Sequence, residues 1–217
     1  MLNYLFAHFH ERAEITSQLE AHPEHLENLI QAQCAPNPSY RVIAASECLS
    51  YFGEHTEQTE LQFFAKGQLS WMNDLNDERI VQTHIARDLF NARYNSALHQ
   101  LAQSSLADHV LALSGAPMSA PSEAKRLATW QYFLDGTYGV CTIDGLPQSI
   151  AVKQTLVSTI DQFIQRQPTN IPKNQIDSLA QLLTALDRVE ALFAPHERAK
   201  SSRQRCIVEV RAKYLTP

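Results

Sequence analysis

Glycine is scarce in this chain, six among 217 residues, and strict polar–apolar alternation is rare, which excludes a protein made of many short strands and tight turns. Basic residues are in deficit, 18 Lys and Arg against 23 Asp and Glu. A surface cationic all round is thereby excluded, and any contact with nucleic acid has to be local. Cysteine occurs four times, at Cys34, Cys48, Cys141 and Cys206, with no CxxC pair and no short Cys/His ligand spacing. Neither a zinc module nor a disulfide framework is indicated, no cofactor is implied, and the thiols read as reduced ones of a cytoplasmic protein. Long hydrophobic runs are missing as well. Stretches such as Val110 to Leu113 fall far short of the roughly 20 residues that cross a bilayer, so no membrane contact is expected. The opening MLNYLFAHFHERAE has no basic leader, carries His8 and lacks a small-residue cleavage site, and it reads as a folded first helix.

What is present is helical periodicity. Of the residues, 44% are hydrophobic, and they recur mostly at three- and four-residue spacing, which predicts an all-α, mainly helical fold of about eight to nine helices. They fall near 2–10, 12–20, 23–33, 56–75, 77–113 with one break, 122–135, 148–166, 172–193 and 201–214, with at most a minimal β-hairpin near 135–145. Pro23 and Pro172 suit first helical turns, with Thr169 or Asn170 capping the second, and Gly136 suits a left-handed C-cap after Leu134 and Asp135. Residues 114–121, SGAPMSAP, combine small side chains with two prolines. They read as a linker between an acidic part, 1–113, and a part, 122–217, with a basic tail, or as a loop within one domain.

Residues 13–30, AEITSQLEAHPEHLENLI, resemble a helix-turn-helix: Ile15, Leu19, Ala21, Leu26 and Leu29 stand where that motif buries apolar side chains. Residues 36–42 could close the unit as a short extended segment, as in excisionase-like small winged modules, which gives a helix-turn-helix-like unit at 12–42. The pattern departs at Glu20, where the tight turn usually has glycine. The helix that would enter a major groove offers Pro23, Glu24, His25, Glu27 and Asn28, without Lys or Arg. Residues 1–60 carry two basic and nine acidic residues, a net of −7, which repels phosphate.

Other chemistry is thin. Nine histidines show no HExxH and no Glu-x-x-His spacing, so no metal site is expected; His84 and Asp88 share a helix face and read as a border hydrogen bond. Residues 135–145, DGTYGVCTIDG, gather three of the six glycines around Tyr138 and Cys141, a weak ligand-pocket candidate with no visible base or cation beside the thiol. The last 24 residues carry six basic against two acidic residues, a net of +4. Pro195 ends the preceding helix and Ser201 or Ser202 can cap the last one. Arg198, Lys200, Ser201, Ser202 and Arg203 then form a candidate anion site, filled by an internal carboxylate or an external anion. The sequence reading is a cytoplasmic helical binding or regulatory module that acts through protein–protein contacts or self-association. The alternatives are a DNA-binding transcription regulator using the 12–42 unit, and a small-anion receptor or enzyme with a site near 135–145 and 196–205.

Overall fold

The computed structural model describes every residue except 20–22, 167–169 and 216–217, and for Pro23 the backbone alone. The chain begins with α1 (Leu2–His8), β1 (Phe9–Glu11), α2 (Arg12–Gln18), α3 (Pro23–Gln31), β2 (Tyr40–Ser50) and β3 (Gly53–Ala65). The Glu11 carboxylate caps α2 by accepting from the Ala13 N–H at 2.7 Å, satisfying a donor that the helix leaves orphaned. Ile15, Leu26 and Leu29 are buried as the helical spacing requires. The tight turn expected at Glu20 and the candidate cap Thr169 lie outside the described residues. The three strands form an antiparallel sheet in the order β1-β3-β2. In it β1 touches only the last residues of β3, Phe9 opposite Ala65, whereas β2 pairs with β3 along its whole length, from Tyr40 opposite Phe63 to Ser50 opposite Gly53.

The protein is therefore mainly helical but not all-α. The helix expected from residue 56 does not form until Gln68, because residues 53–65 are a strand. Glu and Gln in this stretch favour a helix one by one, yet Thr56 and Thr59 are β-branched and the pairing is set from outside the segment. Ser50 to Gly53 reverses the chain over two residues, with Gly53 at φ 124, and once that turn closes each side extends a ladder against the other. The hairpin expected near 135–145 is in turn absent among the described residues. That stretch holds α8 (Thr137–Cys141), entered through Gly136 at φ 84.

The remaining helices are α4 (Gln68–Asp77), α5 (Thr83–Gln103), α6 (Leu106–Ser114), α7 (Glu123–Leu134), α9 (Pro147–Gln165), α10 (Lys173–Val189) and α11 (Glu209–Tyr214), the last preceded by a π-helical turn, Gln204–Val208. Eleven α-helices result among the described residues, more than expected, because α8 is additional and the helix expected at 77–113 starts at Thr83 and breaks at Ser104. There the Ser104 hydroxyl donates to the Leu101 carbonyl at 2.7 Å and accepts from the Leu106 N–H at 3.3 Å, local bonds that compete with helix continuation. One core gathers Ile15, Leu26, Phe64, Trp71, Phe90, Trp130, Phe133 and Ile150, and a second gathers Val110, Leu113, Leu156, Leu183, Cys206 and Ile207. A small third core, Leu5, Phe9, Phe63 and Ala65, lies under the base of the sheet. Residues on both sides of 114–121 build the first two cores. No helix among the described residues is long and apolar enough to cross a membrane.

Candidate functional site

The most unusual feature is an arm. Beyond its base the β2–β3 hairpin leaves the body, and from Ala45 to Ser50 and from Gly53 to Glu60 every residue is exposed. Both faces of the ribbon meet solvent. The apolar side chains along it are consequently open, Ile43 at 68% and Leu49 at 70%, and the turn residues Tyr51 and Phe52 are each 96% exposed, touching each other edge to face at 5.4 Å. Scattered exposed apolar residues are ordinary; four on one projecting ribbon, two of them aromatic at its tip, are not. The arm is also acidic, with Glu47, Glu54, Glu57 and Glu60. Arg41 forks onto Glu60 at 2.8 and 3.0 Å and holds its carboxyl down at about 2.

The arm stands on a fixed seat. At its foot the Tyr40 hydroxyl donates to Glu197 at 2.6 Å, and Asn37 donates through its side-chain amide to the Leu134 carbonyl at 2.9 Å. The glycine-rich segment 135–145 makes this approach possible. A Cβ on Gly136 would lie 2.8 Å from the Asn37 carbonyl oxygen, one on Gly139 1.9 Å from the Ser39 hydroxyl, and one on Gly67 2.6 Å from Asp144. Absent side chains thus let α8 and its flanks lie directly against both ends of the hairpin. The glycines work in packing, which accounts for them without a phosphate cradle or a nucleophile turn.

Tyr138 and Cys141 share α8 but face different partners. The Tyr138 hydroxyl accepts from the side-chain amide of Gln154, and Gln154 accepts from Tyr94 at 2.7 Å; burial pushes the Tyr138 hydroxyl up to about 12. Cys141 does have a cation beside it, which its sequence neighbours hide: Lys153, twelve residues on, donates to the Cys141 carbonyl. Burial nevertheless outweighs the lysine and raises the thiol above its ordinary range. Lys153 is committed elsewhere, in a 3.1 Å pair with Glu190, whose side chain is fully buried. Glu190 also accepts from Ser202, while its second oxygen has no hydrogen-bond partner among the described residues. The hollow next to this segment, between Gly139, Thr142, Ala191 and Tyr4, measures about 20 Å³, room for a water and not for a metabolite.

The basic C-terminal residues are spread over separate partners. Arg203 meets Asp187 at 2.6 Å and donates to the Ala191 carbonyl at 2.8 Å. Asp187 also takes Arg211 at 3.0 Å. Ser201 caps the final helical segment, accepting from the Gln204 N–H at 3.1 Å; Arg198 donates to the Phe193 carbonyl at 3.2 Å, and Lys200 is exposed. Ser202 and Arg203 therefore converge on carboxylates at the end of α10, and Arg198 and Lys200 do not join them. On α3 the exposed residues include Glu24, Asn28 and Gln31, and Glu27 is held by Arg12 at 2.9 Å. His84 and Asp88 are both exposed on α5.

The arm itself is what sequence reasoning missed. The signal available was the run from Val42 to Phe52, apolar or small apart from Glu47 and without helical spacing, followed by a glycine. Residues 86–215 match a family model described as a family of unknown function (DUF6058). No curated protein and no solved structure matches the chain.

Proposed function

The chain belongs to the DUF6058 family, whose function is unknown, and we propose that it is a binding and regulatory module acting through protein contacts, with the hairpin arm as the contact element and the helical body as its mount. The observation that carries this reading is the exposure of Ile43, Leu49, Tyr51 and Phe52 on a ribbon that, among the described residues, packs against nothing beyond its base. Aromatic anchors on a rigid support are the usual centres of protein interfaces. The four free thiols support a reducing compartment such as the cytoplasm. Replacing residues 44–59 by an Asn-Gly turn joins Ile43 to Glu60, which already face each other, and should leave the helical signal and the melting temperature unchanged. It should also remove association, read as mass by light scattering and as proteins retained from a lysate. Unchanged association after truncation sinks the reading.

A second reading has one observation behind it. The order helix, strand, helix, helix, strand, strand, with the last strand central in the sheet, is the connectivity of a winged helix, in which the second helix of the pair reads DNA. Charge argues against it, since residues 1–65 hold nine acidic and two basic residues and α3 presents carboxylates where phosphate contacts belong. A mobility shift at low salt decides, and no shift ends this reading. A small-anion site at 196–205 has less support, because Arg203 and Ser202 are taken up by Asp187 and Glu190.

A further inference from the structure

Resting on the arm as a contact surface, we propose that its partner is a second copy of this chain, joined edge to edge along β2 about a twofold axis at Ser46 to make a four-stranded antiparallel ribbon. An isolated two-stranded hairpin is marginal in water, and stability takes a third strand or a packed face. From Ala45 opposite Gln58 to Ser50 opposite Gly53 this arm has neither, and its outer strand offers the unpaired backbone groups of an eleven-residue edge. Long open edges of this kind are templates for another strand.

Charge then chooses which edge. The free edge of β3, beyond the three residues covered by β1, carries Glu54, Glu57 and Glu60. Two such edges brought together would gather six carboxylates along one seam. The β2 edge carries one carboxylate, Glu47, with Arg41 at its foot and Ala44, Ala45 and Ser46 in the middle, small side chains that let a second strand approach.

Side-chain chemistry also chooses the register. A twofold axis perpendicular to an antiparallel sheet sets residue i opposite residue j with a constant, even sum, because opposed residues share a face. Centring on Glu47 would oppose that carboxylate to its own copy, and like charges directly opposite destabilise a sheet. Centring on Ala45 would place Ile43 against Glu47 and Leu49 against Arg41. Centring on Ser46 places Ile43 of one copy against Leu49 of the other, twice, and puts Glu47 opposite Ala45. The two most exposed aliphatic side chains of the strands then cover each other, and the ladder adds about eight backbone hydrogen bonds.

Light scattering of the full chain across a micromolar dilution series tests this. The unaltered protein should show twice the chain mass at the upper end. Ile43→Glu with Leu49→Glu should weaken the dimer at least about tenfold, since each apolar pair becomes a repelling one. Ile43→Lys with Leu49→Glu should restore it, because the same register now opposes lysine to glutamate. Both side chains are exposed, so unchanged melting temperatures show that the variants fold. A dimer that survives the double glutamate substitution, or one that the lysine–glutamate variant fails to restore, overturns the Ser46-centred arrangement. A monomeric unaltered chain that still retains a different protein through its arm overturns the second copy while leaving the arm a contact surface. A monomer that retains nothing overturns both.

Discussion

Gly139 lies so close to Ser39 that a methyl group on it would come within 1.9 Å of the serine hydroxyl and 3.3 Å of the Ala65 side chain. The helix α8 is thereby locked to the foot of the arm, and three of the six glycines are used in this seat.

Glycine substitutions should therefore separate by place. Gly139→Ala overpacks the seat and should cost about 1–3 kcal/mol, a melting-temperature drop of about 2–4 °C for each kcal/mol in a chain of this length. Gly136→Ala should cost more, because backbone oxygens of Asn37 and Pro38 block it and φ is +84. Gly115 has φ +77 but open space around it, so Gly115→Ala should cost only about 1–2 kcal/mol of left-handed strain. Thermal melts of the three variants rank them, and a Gly139→Ala protein as stable as the parent shows the seat to be compliant.

Thiol reactivity should be equally uneven. Cys34 and Cys206 are buried, Cys48 is exposed on the arm, and burial raises the Cys141 thiol despite Lys153. Only a thiolate attacks a disulfide reagent. The native protein should react promptly at one thiol at neutral pH, and Cys48→Ser should abolish that phase. A fast phase remaining in Cys48→Ser, assigned to Cys141, would show that the lysine wins over burial.

How far the sequence speaks follows from the range of the forces involved. Helices such as α7, α9 and α10 are legible because their apolar stripes and caps are local; Ser122 accepts from the Lys125 N–H at 3.3 Å at the start of α7, and Gly136 takes the left-handed conformation its place suggests. The helices α2 and α3 are legible for the same reason. The strand β3 is not, because its conformation is decided by β2 across a turn while Glu57, Gln58 and Glu60 carry helix-favouring propensities of their own. Lys153 beside Cys141 and Asp187 beside Arg203 join segments that only the tertiary fold brings together. The basic tail shows that something negative must face it; which carboxylate does so is a property of how α10 ends.

Asp187 gives the protein a specific acid response. Burial pushes its carboxyl up, but Arg203 and Arg211 outweigh burial and hold it below its ordinary value. A carboxylate whose pKa is lower folded than unfolded adds stability above the unfolded value, about 3.9, and loses it as pH falls through the folded one. Asp187→Asn should thus be less stable than the parent at pH 7, and the gap should close as pH falls below about 4. Urea midpoints at pH 7, 5 and 3 measure it. A gap that stays constant over that range means the charge of Asp187 contributes nothing and the loss is one of packing.

The pair Lys153–Glu190 calls for a coupled test, since its stake is a charge rather than a contact. Both side chains are buried, at 8% and 0% exposure, and Ser202 and the Cys141 carbonyl complete the set. Desolvating two such groups costs about as much as their attraction returns, so the pair need not stabilise the fold, but removing one member leaves the other stranded in an apolar surround. Lys153→Met should therefore cost about 3–5 kcal/mol. Adding Glu190→Leu removes the stranded carboxylate and should recover part of that loss, with the Ser202 hydroxyl and the Cys141 carbonyl left short of a partner at about 1–3 kcal/mol each. The sign of the coupling in a double-mutant cycle is the readout. If the double variant is less stable than Lys153→Met, by the full cost of Glu190→Leu alone, then Lys153 and Glu190 act independently, and the lysine is held by the Cys141 carbonyl and the Phe193 ring, 5.6 Å away, rather than by its carboxylate.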